Sequence, residues 1–265
     1  MQCPLCGSDL YEIPYTGVGA IGVYGRCLCC GLSSEETPPS PINRIWQTDC
    51  VTGMRDMLPD SSVDLIVTDP PYLISYASNR RKDKTHDFCS VIQNDDNPAL
   101  IRDYLRECYR VLKPDHAAYV FCSSKTLDAF KGFAVEAGFV VRNTIIWVKN
   151  SHTAGDLVAQ YGQQYEPVLL LNKGRAPING KRLTDVWEFS RVSGKAQLHQ
   201  NQKPVDLIAR CIEKHSAEGD VVLDGFMGSG TTAVAATRMG RRFVGFEIEP
   251  RYFWIINDRL NGGIV

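Results

Sequence analysis

No run of apolar residues in the 265-residue chain approaches the roughly 18 that a helical membrane span needs. The opening residues, MQCPLCGSDL, lack the basic stretch and apolar segment of a secretory signal. An excess of either charge is missing too: 29 Lys and Arg stand against 30 Asp and Glu, a net −1. That excludes a histone-like polybasic binder while leaving a locally basic groove open. No internal repeat or low-complexity tract is present. These absences point to a cytoplasmic protein in a reducing compartment, where the 10 cysteines serve as thiols or metal ligands rather than disulfides. With 44% hydrophobic and 22% charged residues, the composition is that of an ordinary globular protein.

Residues 1–40 differ from the rest. They hold Cys3, Cys6, Cys27, Cys29 and Cys30 and run into Thr37-Pro38-Pro39-Ser40-Pro41, a stiff linker. Cys3-Pro-Leu-Cys6-Gly7 and Cys27-Leu-Cys29-Cys30-Gly31 are two CxxCG knuckles, each setting two sulfurs on one turn. Cys3, Cys6, Cys27 and Cys30 therefore predict a tetrahedral structural Zn²⁺ site, a zinc ribbon over 1–40. So small a module would draw its folding energy from the metal; the plainer reading is four reduced thiols. Its single basic residue, Arg26, stands against Asp9, Glu12, Glu35 and Glu36. Phosphate binding runs on Lys and Arg, so the ribbon reads as a folding brace or a protein contact.

From residue 41 to 265, short apolar runs alternate with helical patterns. Strands are predicted at 44–47, 63–68, 117–122, 140–148, 167–171, 220–223 and 242–246, and helices at 51–58, 98–112, 124–137, 203–217, 230–240 and 250–260. This alternation predicts an α/β fold, a doubly wound, mostly parallel sheet of about seven strands covered on both faces. Residues 73–97 and 174–198 read as loops.

Two turns carry chemistry. Val221-Val222-Leu223-Asp224-Gly225-Phe226-Met227-Gly228-Ser229-Gly230-Thr231-Thr232 is a strand, a glycine-rich turn and a helix start, where backbone N–H groups meet a ligand. Gly225 and Gly230 have phosphate-loop spacing, but Thr231 replaces the lysine that reaches β/γ-phosphates. After Gly228 and Gly230 the third glycine of a dinucleotide loop is Ala233. A nucleoside without pyrophosphate remains, and Glu247, seventeen residues after Gly230, suits its ribose hydroxyls. The plainer reading is a tight turn, with Glu247 capping the next helix. The second turn, Asp69-Pro70-Pro71-Tyr72, ends an apolar strand. Its prolines remove N–H donors and stiffen the backbone. The Asp69 carboxylate and Pro70 carbonyl then form a rigid acceptor pair beside the Tyr72 ring, matched to a planar group bearing an exocyclic amine. A bare Pro-Pro turn is the alternative.

Taken together, residues 43–265 resemble the amino-group DNA methyltransferases that use S-adenosylmethionine, in the permuted β arrangement with the catalytic turn upstream of the cofactor turn. The resemblance runs through Thr48-Asp49-Cys50, DPPY at 69–72, Tyr119-Val120-Phe121-Cys122-Ser123, Ile145-Ile146-Trp147-Val148-Lys149-Asn150 and Tyr165-Glu166-Pro167-Val168-Leu169. It continues through His199-Gln200-Asn201-Gln202-Lys203-Pro204, the glycine loop and Gly245-Phe246-Glu247. The family's usual HPTQKP loses its first proline here.

The resemblance implies that Asp224, Phe226, Gly228, Gly230 and Thr231 hold the methionine part of the cofactor. It gives Glu247 the ribose, Asp49 the adenine amine, and Lys203 or a neighbour the carboxylate, with Asp69 on the border between cofactor and substrate. Tyr72 would stack on a base flipped out of double-stranded DNA while Asp69 and Pro70 accept its amine hydrogens. Adenine-N6 is the leading target and cytosine-N4 the close rival. An inactive zinc-ribbon adaptor on the same fold is the reading from another class. Arg80, Arg81, Lys82 and Lys84, with Arg175, Lys181, Arg182, Arg191 and Lys195 beside Trp187 and Phe189, are the expected DNA-facing residues. The 25-residue slot 174–198 is small for reading a site alone, so a homodimer is expected. No endonuclease motif is apparent, and the chain reads as a stand-alone modifier.

Overall fold

In a computed structural model the described residues are 8, 10–17, 20–27, 40–74, 93–153, 156–194, 197–199 and 201–262. The strands are β1 (Leu10–Gly17), β2 (Ala20–Cys27), β3 (Arg44–Trp46), β4 (Val63–Thr68), β5 (Leu112–Phe121), β6 (Val140–Val148), β7 (Tyr165–Lys173), β8 (Val186–Glu188), β9 (Val221–Asp224) and β10 (Arg242–Phe246). The helices are α1 (Cys50–Met57), α2 (Pro98–Val111), α3 (Leu127–Ala137), α4 (Val205–His215), α5 (Thr231–Arg238) and α6 (Pro250–Leu260).

All ten strands join one sheet in the order β2-β1-β3-β10-β9-β4-β5-β7-β6-β8. The centre, β3-β10-β9-β4-β5, is parallel. β7 runs antiparallel to both β5 and β6, and the β1–β2 hairpin joins β3 antiparallel. The sheet is therefore mixed, and among the described residues ten strands stand where about seven were expected. β8 was hidden in a segment that reads as a loop because it is three residues long. The β1–β2 hairpin was hidden by Pro14 and by glycines that blunt the apolar alternation. Tyr15 and Tyr24 pack around Trp46, with ring centroids 5.0 and 6.0 Å away, which ties the hairpin to the main core.

Central strands bury both faces, so neighbouring residues enter opposite cores. Ile66 of β4 packs with Met54, Tyr104 and Phe130 beneath α1, α2 and α3, while Leu65 and Val67 pack with Ile208, Ala236 and Ile256 beneath α4, α5 and α6. From β4 the chain steps outward to β5 on one side. From β9 it steps to β10 on the other. The point where the connections diverge leaves a crevice at the carboxyl ends of β4 and β9. Among the described residues, no helix is long and apolar enough to cross a membrane.

Candidate active site

The crevice is a cavity of about 870 Å³. Asp69 and Tyr72 line one wall and Gly228 and Glu247 another. β4 and β9 are parallel neighbours with Leu65 opposite Val222 and Ile66 opposite Leu223, so the turns that follow emerge side by side. This register is what brings two motifs more than 150 residues apart in the chain into one cavity.

Asp69, Pro70 and Tyr72 leave β4 directly. Thr68, the last strand residue, is fixed by the Tyr104 hydroxyl at 2.8 Å. Asp95 accepts from the Leu73 N–H at 2.9 Å and Thr126 donates to the Tyr72 carbonyl at 2.8 Å, which holds the far end of the turn. Among the described residues, none donates a hydrogen bond to the Pro70 carbonyl. The Tyr72 hydroxyl is anchored between Asp69 Oδ1 and Glu166 Oε1, the latter 2.6 Å away.

Lys203, buried just before α4, donates to Asp69 Oδ2 at 2.6 Å, lies 2.9 Å from Glu166 Oε1, and reaches the Tyr72 hydroxyl at 3.0 Å. Lys149, at the end of β6, pairs with Glu166 Oε2 at 2.7 Å. Two carboxylates and two ammoniums thus form a closed, charge-balanced cluster. Burial raises the Asp69 carboxyl, and the shared Lys203 only partly offsets this. Glu166 is also buried, but Lys203 and Lys149 together pull it down to about 2. Burial among these carboxylates pushes the Tyr72 hydroxyl well above its ordinary range, so it stays protonated. Asp69 is the more basic of the two acids because it shares one cation while Glu166 has two.

Sequence reasoning missed Glu166 and Lys149 as site residues. The available signal was a carboxylate inside an apolar strand: Glu166 is buried in β7 ahead of a continuous apolar run, and an acid there needs a cation partner.

The glycine loop follows β9. Gly228 and Gly230 adopt φ +53° and +80°, which L side chains rarely tolerate. A Cβ on Gly230 would also meet Ile256 at 2.9 Å. Asp224 accepts from the Phe226 N–H at 3.0 Å and the Thr232 hydroxyl at 2.7 Å, and burial lifts it to about 6. Thr231 opens α5 and lines the cavity with Phe226. Glu247 accepts from the Gly228 N–H at 2.7 Å and the Glu249 N–H at 2.8 Å, and burial lifts it to about 7. Asp49 caps α1 through the Thr52 N–H at 2.9 Å and lines an adjoining small pocket with Phe226 and Glu247. His199 sits over the loop with its ring 4.4 Å from that of Tyr252 and is pushed down to about 4 by burial. Cys122 is buried and raised to about 12, which removes it as a nucleophile.

The expected DNA-facing aromatics are corrected. Trp187 is buried against Tyr119 and donates to the Thr184 carbonyl, and Phe189 packs beside the same core under Arg210. Trp187 presents no face to solvent for a base to stack on, and the half-buried Phe189 carries the Arg210 guanidinium over its ring at 4.4 Å. Arg175, Lys181, Arg182 and Arg191 are exposed, and Arg191 lines the cavity. Arg80, Arg81, Lys82, Lys84 and Lys195 lie outside the described residues, as do Cys3, Cys6 and Cys30. Cys27 is buried on β2, and among the described residues no group of three or more potential metal ligands comes together.

Comparison with known proteins follows the same two turns. The sequence profile of a DNA methylase family, the N6/N4 methyltransferases, matches residues 63–258. YubD of Escherichia coli (strain K12), named as a methylase, is 34% identical over 221 residues, 83% of this chain and 90% of YubD. The type II methyltransferase M2.DpnII of Streptococcus pneumoniae is 30% identical over 237 residues, 80% of this chain and 87% of its own length. The crystal structure of the M1.HpyAVI–SAM complex superposes with a TM-score of 0.64 at 30% identity, covering 82% of this chain and 98% of that one. The match spans the acidic turn, the lysine cluster and the glycine loop alike, and the chain belongs to the N6/N4 DNA methylase family.

Proposed function

We propose that the chain moves a methyl group from S-adenosylmethionine to the exocyclic N6 amine of an adenine flipped out of double-stranded DNA. The observation that carries this reading is the shared cavity, with the Asp69–Tyr72 turn and the Gly228–Glu247 turn as its walls. The M1.HpyAVI structure, a SAM complex, supports the choice of cofactor.

The residues present fit that cofactor. Each Glu247 oxygen accepts one backbone N–H, so each keeps lone-pair capacity for a ribose hydroxyl. The left-handed glycines keep Cβ atoms off the loop where a ligand would approach. Asp224, Phe226, Gly228, Gly230 and Thr231 would border the methionine part, and Asp49 the adenine. When bound, the cofactor supplies an activated methyl on a sulfonium. The protein's share is positioning and charge complementarity.

Asp69 and the Pro70 carbonyl accept the amine's two hydrogens, which directs the nitrogen lone pair away from them. Lys203 and Tyr72 each occupy one Asp69 oxygen, and a carboxylate has about four acceptor sites, so the amine is accepted without breaking the cluster. The nitrogen gains positive charge with the methyl and gives one hydrogen to Asp69, the more basic acid of the cluster. Lys203 spends all three of its hydrogens on Asp69, Glu166 and Tyr72; service to the cofactor carboxylate would require it to release one.

Cytosine's N4 amine offers the same two hydrogens to the same acceptors. Labelled methyl transfer to unmethylated plasmid DNA, followed by nucleoside analysis, separates the two. N6-methyladenine supports the reading, N4-methylcytosine replaces the target, and no label defeats it. A homodimer would extend the short recognition segment, and sedimentation with and without duplex tests it. The zinc reading for Cys3, Cys6, Cys27 and Cys30 is supported by the two CxxCG units alone; metal analysis of the purified chain should return one zinc per chain. The hairpin would then be the part of a metal-stapled 1–40 module that docks on the sheet edge.

A further inference from the structure

Above the cavity, β6 and β7 continue past their last ladder pair as a protruding hairpin. Its arms are joined by the Lys149 N–H on the Gln164 carbonyl at 2.8 Å and the Thr153 N–H on the Gln163 carbonyl at 2.9 Å. The Gln163 side chain also donates to Ser124 at 3.1 Å, which ties the root to the segment before α3. A Cβ at Gly162 would meet the His152 ring and, at 2.8 Å, the Thr153 carbonyl oxygen, so the arms close tightly around a glycine. The root lines the cavity through His152, Thr153, Gln163 and Tyr165.

The tip is unusual in what it shows to water. Leu157, Val158 and Tyr161 are 85%, 95% and 99% exposed. Single exposed apolar residues are ordinary; three on one protrusion beside a substrate cavity mark a contact surface. The acid in the tip, Asp156, turns its carboxylate onto the Val158 N–H at 2.9 Å and the Ala159 N–H at 3.3 Å, which shapes the turn. Arg191 is held at the root by its N–H on Asn150 Oδ1 at 3.2 Å and adds an exposed cation next to the cavity. The surface is thus apolar at its end and basic at its base. That pattern fits a duplex, with phosphates outside and base faces within.

We propose that the 156–162 tip is a wedge that enters the stack at the target and fills the space an extruded base leaves. The inference rests on the base-flipping reading above. An emptied stack position is walled by two base faces, and apolar side chains inserted between base steps cover the faces that the extruded base leaves bare. Leu157, Val158 and Tyr161 supply that material on a hairpin whose root lines the cavity receiving the base. The wedge lowers the cost of opening and leaves the methyl transfer step untouched.

The test uses the full chain and a triple variant, Leu157→Ser, Val158→Ser and Tyr161→Ala. These side chains are almost wholly exposed, so melting temperature stays at the parent's value. Duplex oligonucleotides carry the parent's mapped methylation site with the target either correctly paired or opposite an abasic position. The variant is expected to lose about tenfold to a hundredfold in kcat/KM on the paired duplex, the scale of stacking one or two bases on a side chain, and to recover most of it on the abasic duplex, where the target has no pairing partner to leave and extrusion costs less. Equal rates for parent and variant on the paired duplex overturn the wedge alone. So does an equal loss on both duplexes, or a fall of a parent dimer to monomer, which would make the tip a contact between copies. A parent that transfers no methyl to any DNA overturns the underlying reading and the wedge together.

Discussion

Lys203 places its ammonium 2.6 Å from Asp69 Oδ2, joining a residue ahead of α4 to the turn after β4 across 134 positions of sequence. Lys203 is buried and Asp69 half-buried in this ion pair, and the pair sets the electrostatics of the Asp69–Tyr72 turn. Removing one partner of a buried pair strands the other's charge and costs about 3–5 kcal/mol. Lys203→Met should therefore lower the melting temperature markedly. It should also raise the Asp69 carboxyl further, because the cation that lowers it is gone. Loss of activity on acidification should then set in at higher pH than in the parent, and pH–rate profiles of the two proteins check the direction.

Glu166 holds Lys203 from the other side at 2.9 Å. Glu166→Gln leaves Lys149 without its carboxylate and Lys203 with Asp69 as its one anionic partner, and it removes the negative charge that raises Asp69, so the Asp69 carboxyl falls. The acidic limb of the pH–rate profile should move down, opposite to Lys203→Met, with a smaller loss of stability. A merely structural role would lower stability in both variants and move neither limb.

Glu247 titrates near 7, against an ordinary value of 4.5. Between those values the folded chain binds a proton that the unfolded chain has released, so this group's contribution to stability is greatest at low pH and is lost as pH rises to about 7. Glu247→Gln should be more stable than the parent at pH 8, by at most about 3 kcal/mol at 1.36 kcal/mol per unit. Ribose hydroxyls favour the ionised carboxylate. Parent affinity for S-adenosylmethionine, measured by calorimetry, should thus fall as pH drops below about 7, while the Gln variant binds weakly with little pH dependence.

Gly230 and Gly219 separate strain from collision. Both adopt left-handed backbone, φ +80° and +83°, but only Gly230 has an atom within 3 Å of where a Cβ would lie. Gly219→Ala should cost about 1–2 kcal/mol from conformation alone. Gly230→Ala should cost more, because Ile256 must also move. Chemical denaturation of both variants gives the comparison.

Much of the frame was legible because its strands are short, buried apolar runs bounded by turn formers. The predicted 63–68, 140–148 and 242–246 are β4, β6 and β10. The pairing of β4 with β9 was not legible, since strand order depends on long-range packing that no local pattern encodes. Asp69, Tyr72, Gly228 and Glu247 stood out as motif residues, and the structure brings them to one cavity. The cluster that balances Asp69 was hidden. Lys203 carries the same signature whether it serves a cofactor or a carboxylate, and Glu166 reveals its role only when β7 lies beside Lys149. Trp187 misled in the other direction: an aromatic among basic residues resembles a nucleic-acid surface, yet the pairing of β8 with β6 sets it opposite Trp147 and turns it inward.

The most direct test compares the parent with Asp69→Ala, following labelled methyl transfer from S-adenosylmethionine to plasmid DNA and cofactor binding in parallel. The account predicts N6-methyladenine from the parent, no transfer from the variant, and cofactor binding within a fewfold of the parent's. A folded Asp69→Ala variant that turns over at near-parent rate would contradict it.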